Sequence, residues 1–107
     1  MGFFKTMLRM NTSRIGNVTG SDFNHCYISA AKKDGRPALI IYGTGKEDFL
    51  FDKSDVKEFS VIETNTLLIM ENKRYSGNKY RIVFHNGKSA VLSIPTQDCA
   101  KLEEVLY

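Results

Sequence analysis

KYRIVFHNGKSAVLSIPTQDCAKLEEVLY, residues 79–107, carries the clearest local grammar in this chain of 107 residues and decides its architecture. Tyr80, Ile82 and Phe84 alternate with Arg81 and His85, the two-residue period of a strand with one apolar face. Asn86-Gly87 supplies a dipeptide that tolerates positive φ in a tight turn, and Ala90, Leu92 and Ile94 resume the alternation. Pro95 ends the strand. Thr96 is placed to cap the next element, and Cys99, Leu102, Val105 and Leu106 fall on one side of a helix that runs to the last residue. The stretch specifies a hairpin and a closing helix, and no reaction.

Upstream, the same period-two pattern recurs. Phe23 to Lys32 reads as a first strand, and Lys33-Asp34-Gly35-Arg36 as a hairpin turn. Pro37 to Tyr42 is a second strand, and Glu47 to Phe51 a short third one. Asp52-Lys53-Ser54-Asp55 has turn chemistry, and Val56 to Thr64 is a fourth strand with a bulge expected near Glu58. Ser54 to Phe59 also admits a single helical turn, against which stands the strand character of the residues that follow. Thr66 to Glu71 is a fifth strand, Asn72 to Asn78 a loop around Gly77, and the terminal hairpin supplies strands six and seven. The expected fold is mainly β: seven antiparallel strands in bent sheets or a partly open barrel, capped by a C-terminal helix.

Residues 1–20 differ in kind. Phe3, Phe4, Met7, Leu8 and Met10 share one arc of a short helical pattern, with Lys5, Arg9 and Thr12 opposite. Gly16 and Gly20 then dilute the pattern into a linker. Residues 1–20 are therefore expected to be a basic amphipathic leader and linker, and residues 21–107 the β domain. The charge follows this division. Lys5, Arg9 and Arg14 face no acid within residues 1–20, whereas the other 12 basic residues balance all 12 acids. A sign-neutral body argues against a nucleic-acid footprint, which shows as a basic stripe over the folded surface.

Composition bounds the rest. With 42% apolar residues, seven Phe and five Tyr, one core can form without disulfides or a structural metal, and no cofactor is expected. Cys26 and Cys99 match no metal-ligand spacing and are expected to be reduced thiols, with a strand-to-helix disulfide as the alternative. No apolar run approaches the roughly 20 residues of a membrane span, and no secretory h-region is visible, so a cytoplasmic protein is expected.

Seven short strands closed by one helix resemble the pleckstrin-homology-like (PH-like) superfold, particularly its small bacterial members. YRIVFHNGKSAVLSIPTQDCAKLEEVL is similar to that family's last hairpin and helix, and DFLFDKSDVKEFSVI to its third and fourth strands. The resemblance implies two bent sheets packed nearly orthogonally, with the helix plugging an open corner. It also implies a phosphate-binding role for the first hairpin loop, where Lys32, Lys33 and Arg36 are similar in place and type to the family's basic pattern.

Three sites follow. The first is that loop, set against a solvated turn. The second is the leader, where Phe3, Phe4, Lys5, Met7, Leu8 and Arg9 suit an anionic membrane surface, a partner groove or a second copy; Met1 to Thr6 also fits the loose N-myristoylation pattern. The third is KRYSGNKYR, residues 73–81, where Tyr75 and Tyr80, with Phe84 beyond, and Lys73, Arg74, Lys79 and Arg81 suit single-stranded nucleic acid, set against an exposed hairpin loop. His25, His85 and the two cysteines form no catalytic order. The leading expectation is a non-catalytic binding or scaffolding module that engages a protein partner or another copy of itself; the alternative is a peripheral module for anionic lipid.

Overall fold

Period-two alternation governs most of the β domain. A computed structural model describes residues 14–43 and 47–107. It contains β1 (Arg14–Thr19), β2 (Cys26–Lys33), β3 (Arg36–Tyr42), β4 (Phe49–Phe51), β5 (Val56–Met70), β6 (Lys73–Phe84), β7 (Ser89–Pro95) and α1 (Cys99–Leu106). Residues 1–13, including the expected leader helix, lie outside the described residues.

The seven strands form one antiparallel sheet in the order β4-β3-β2-β1-β7-β6-β5. Two meanders, β2-β3-β4 and β5-β6-β7, are joined because β1 pairs with both β2 and β7. The sheet does not close, since β4 and β5 each have a strand on one side only.

The fold class is as expected, yet several boundaries move. Residues 14–19 are not linker: β1 is the central strand, so the β domain includes residues assigned to the leader segment. Gly16 is a site of close approach, where a Cβ would lie 2.4 Å from the Ser93 carbonyl oxygen and 2.5 Å from Ile94 Cδ1. The strand expected at Phe23 begins at Cys26, because His25 has positive φ (57°) and turns the chain into β2. The expected fourth and fifth strands are one strand, β5. Asn65 (φ 50°) sits in an irregular stretch of its pairing with β6, and its backbone N–H donates to Asn78 Oδ1 at 3.1 Å. The expected loop over Asn72–Asn78 is mostly strand, because Glu71 and Asn72, both at positive φ, turn β5 into β6 in two residues.

Asp34 and Gly35 form the expected two-residue turn, both with positive φ. Between β6 and β7, only Gly87 of the Asn-Gly pair has positive φ (89°), and Asn86 Oδ1 accepts from Lys88 N. Lys53–Asp55 is a 3-10 turn boxed by Asp52 and Asp55, after which Val56 starts β5. Thr96 does not cap α1; its hydroxyl donates to the Ser76 carbonyl oxygen at 3.0 Å.

The core lies between the curved sheet and α1. Tyr80, Ile82, Phe84, Ala90, Leu92 and Ile94 all point into it, as the alternation predicts, joined by Cys99, Leu102 and Leu106 from the helix. Phe84 anchors an aromatic cluster with Phe23, Phe49 and Phe51. Cys26 and Cys99 are separate buried free thiols.

Candidate functional site

The two ends of the sheet are treated differently. β4 is a three-residue edge, whereas β5 is a 15-residue edge with one side unpaired among the described residues. Its first half is committed to the core: Val56 and Phe59 pack against it, and Phe59 stacks on Tyr80 with centroids 5.1 Å apart. Its pairing with β6 is irregular between Val56 and Glu58, Val61 and Glu63, and Glu63 and Thr66. Such irregularities twist an edge and blunt it against further pairing, and Lys57, Glu58 and Glu63 add charge.

From Thr66 to Met70 the edge is regular and uncharged. Thr66 pairs with Gly77 and Met70 with Lys73, while β7 reaches only as far as Gly77. Residues 66–77 are therefore a two-stranded arm that runs past the end of β7. Leu68 and Met70 are buried, whereas the alternating residues Leu67 and Ile69 are 61% and 66% exposed. Val61 and Ile62 add a second exposed apolar pair at 43% and 49%. Across the arm, Ile69 faces Arg74 and Leu67 faces Ser76.

Two devices hold the arm in place. Gly77 permits close approach, since a Cβ there would lie 2.3 Å from the Ile94 carbonyl oxygen and 2.5 Å from Leu68 Cδ1. At the tip, the Glu71 carboxylate pairs with the Arg14 guanidinium, which also lies 4.7 Å over the ring of Tyr27. Where the arm meets the sheet, residues 67–70 line a groove with Asn17, Lys79 and Ser93.

A polar chain ties β5 to the helix. Asn65 N donates to Asn78 Oδ1, Asn78 Nδ2 to the Tyr80 hydroxyl, and that hydroxyl to Glu103 Oε2 at 3.0 Å. Burial first, and then the Cys99 hydrogen bond, push the Tyr80 phenol above its ordinary range, against a lowering by Asn78. Tyr80 therefore stays neutral and serves packing.

The residues singled out in the sequence are dispersed. Lys33 Nζ pairs with Asp55 Oδ2 at 3.0 Å, and that hydrogen bond raises the ammonium above its usual value. Asp52 is held below the usual carboxylate range, chiefly by the Ser54 hydrogen bond, with Lys33 and Arg36 adding to the effect. Arg36 pairs in register with Lys33 beside this acidic turn, and the alternation of β2 sets exposed Lys32 on the opposite face, so Lys32, Lys33 and Arg36 do not converge as an uncompensated anion clamp. Phe3, Phe4, Lys5, Met7, Leu8 and Arg9 lie outside the described residues. KRYSGNKYR splits by alternation: Tyr80, like Phe84 beyond it, is core, which leaves half-buried Tyr75 as the aromatic beside Lys73 and Lys79. His85 is exposed, in the turn after β6.

Sequence reasoning missed the arm. TLLIM is apolar at four of five positions, so its composition does not tell the buried face from the exposed one. Among the described residues, no group of three or more His, Cys, Asp or Glu could hold a metal ion, and no helix is long and apolar enough to cross a membrane. No family model matches the sequence, and no curated protein or solved structure is similar to it.

Proposed function

We infer that this chain is a non-catalytic protein-binding module, on a PH-like scaffold, that engages its partner along the outer edge of β5. One observation carries the reading: a 15-residue edge strand pairs on one side only among the described residues and exposes Val61, Ile62, Leu67 and Ile69. An edge strand binds another strand through main-chain hydrogen bonds, with alternate side chains supplying specificity. An exposed, flat, uncharged edge is otherwise a liability that folded proteins suppress. Here the upstream half of β5 is blunted and the Thr66–Met70 segment is not, which is the pattern of an edge kept open for use.

Site-specific photo-crosslinking in the cells that make the protein tests this reading. A photoreactive phenylalanine in place of Ile69 is expected to give discrete protein adducts that disappear when Leu67→Lys is added. The same probe in place of exposed Glu104 on α1 is expected to give none. Equal labelling from both positions, or no adduct from position 69, removes the reading.

A further inference from the structure

We propose that the partner on the arm is a second copy of this chain, joined by antiparallel pairing of Thr66–Met70 about a two-fold axis through Leu68. The inference rests on the binding role assigned to the β5 edge and names the occupant.

Self-complementarity selects it. A two-fold axis normal to a sheet makes the two edge strands antiparallel and the contact isologous. With the axis at Leu68, Leu67 faces Ile69 of the second copy, and the same pair recurs on the other side of the axis. Thr66 and Met70 pair likewise. Leu67 and Ile69 are the two most exposed aliphatic side chains among the described residues, at 61% and 66%, and this register covers both with apolar partners.

Other symmetric registers fail on the same residues. An axis at Glu58 or Glu63 sets a carboxylate against its own copy and crosses the irregular stretches of β5. An axis at Leu67 leaves Ile69 opposite Asn65, and one at Ile69 leaves Leu67 opposite Glu71. Only the axis at Leu68 keeps the regular segment paired wholly with itself. It also sends the second barrel past the arm tip and brings that copy's Glu63 toward the tip turn, where Glu71 is already neutralised by Arg14 and the cations of Lys73 and Arg74 are left in excess. Opposite charges then flank the apolar centre on both sides.

The contact is small. Five residues of edge and two exposed side chains cover much less than the roughly 800 Å² per partner of a standard stable interface. The dimer is therefore weak and reversible, formed as concentration rises, and it joins two seven-stranded sheets into one of fourteen.

Sedimentation equilibrium of the full chain, from micromolar to millimolar protein, tests the proposal. The mass is expected to rise from 12.1 kDa toward twice that value. Leu67→Lys and Ile69→Lys should each weaken association about tenfold or more, because each sets a charge against an apolar side chain on both sides of the axis. The double variant L67K/I69E should recover association, because the register places each introduced ammonium opposite an introduced carboxylate.

Three results overturn the dimer: a mass of 12.1 kDa at every concentration, association that neither lysine changes, or no recovery in L67K/I69E. The crosslinking from position 69 separates this failure from that of the binding role. Adducts of a different protein, with a monomeric chain in the centrifuge, leave the role standing and remove the second copy. Flotation of the monomer with vesicles of phosphatidylcholine and phosphatidylserine, abolished by Ile69→Glu and without any protein adduct, assigns the arm to a membrane and removes both.

Discussion

β5 and β6 run through two environments, and the same two strands behave oppositely in each. Around Phe59, Tyr80 and Phe84 they are part of the open barrel, with Phe59 stacked on buried Tyr80 and Phe84 buried in the aromatic cluster. Around Leu67, Ile69 and Arg74 they leave the barrel and expose apolar side chains to solvent. Strand formation here is thus independent of what covers the side chains. The barrel end has a helix and five other strands to bury against, whereas residues 67–70 of the arm line an open groove with Asn17, Lys79 and Ser93. Stability is concentrated in the first region and binding surface in the second, so substitutions should separate the two sharply.

The largest effect comes from removing the cover of the barrel end. A chain ended at Pro95 loses Cys99, Leu102 and Leu106 from the core. Large-to-small changes at single buried leucines cost about 2–5 kcal/mol, and a domain of this size has only about 5–15 kcal/mol in total. No cooperative thermal transition is expected by circular dichroism, and a sharp transition would show that the helix is dispensable. Next comes Phe84→Ala. Its ring lies 4.8 Å from that of Phe49 and 4.9 Å from that of Phe51, so a loss of about 3–5 kcal/mol is expected in urea titration. Less than about 1 kcal/mol there would mean that the aromatic cluster relaxes around the gap.

The core of this comparison was legible in the sequence, and the arm was not. Tyr80, Ile82, Phe84, Ala90, Leu92 and Ile94 alternate with residues of different polarity, so the period names the buried face. The expected and observed strand counts agree at seven because an unread β1 offsets the division of β5 into two strands. Gly16 and Asn65 carry the reason. A glycine reads as a breaker unless a crowding neighbour is known, and that neighbour, Ser93, is 77 positions away. Asn65 reads as a break, yet Asn78 accepts its N–H and the strand continues through the irregularity. The chain is expected to turn after Glu71, but the tightness of the two-residue turn is hidden because glutamate is not a residue that turn chemistry favours at positive φ. In TLLIM, finally, apolar neighbours on both faces erase the alternation that would reveal exposure.

The junction between the two regions should respond in between. At Gly77→Ala the new methyl meets the Ile94 carbonyl oxygen and Leu68 Cδ1 well inside contact distance. Overpacking of this kind costs about 1–3 kcal/mol. The amides of residues 66–77 are expected to exchange hydrogen faster, with those of β2 and β3 unchanged; uniform acceleration would mean that arm and barrel open as one unit. Tyr80→Phe, which removes the hydroxyl between Asn78 and Glu103, should cost about 1 kcal/mol at neutral pH. Its pH dependence gives a second readout. Because the folded phenol titrates above its unfolded value of about 10, its contribution is present at neutral pH and is lost as pH rises through that value and beyond. The melting temperature of the unmodified protein should therefore fall more steeply above pH about 10 than that of Tyr80→Phe. Parallel curves would place the phenol in an ordinary environment.

The smallest effect on stability is expected where the effect on association is largest. Ile69 is 66% exposed, faces Arg74 across the arm, and is absent from the core cluster. Ile69→Ser removes little buried surface and leaves the backbone pairing intact. Surface substitutions away from core, caps and strained positions change stability by about 0.5 kcal/mol or less, and this one should stay within that range in urea titration at low protein concentration. The low concentration matters, because mass action would otherwise add the lost association to the measured change. A loss of about 2 kcal/mol or more under those conditions would place Ile69 in the same class as Tyr80, as a residue buried by its own chain, and the contrast between barrel and arm would collapse. A negligible loss, together with weakened association at high concentration, would mean that this apolar side chain is kept exposed for what it binds and contributes little to the fold that carries it.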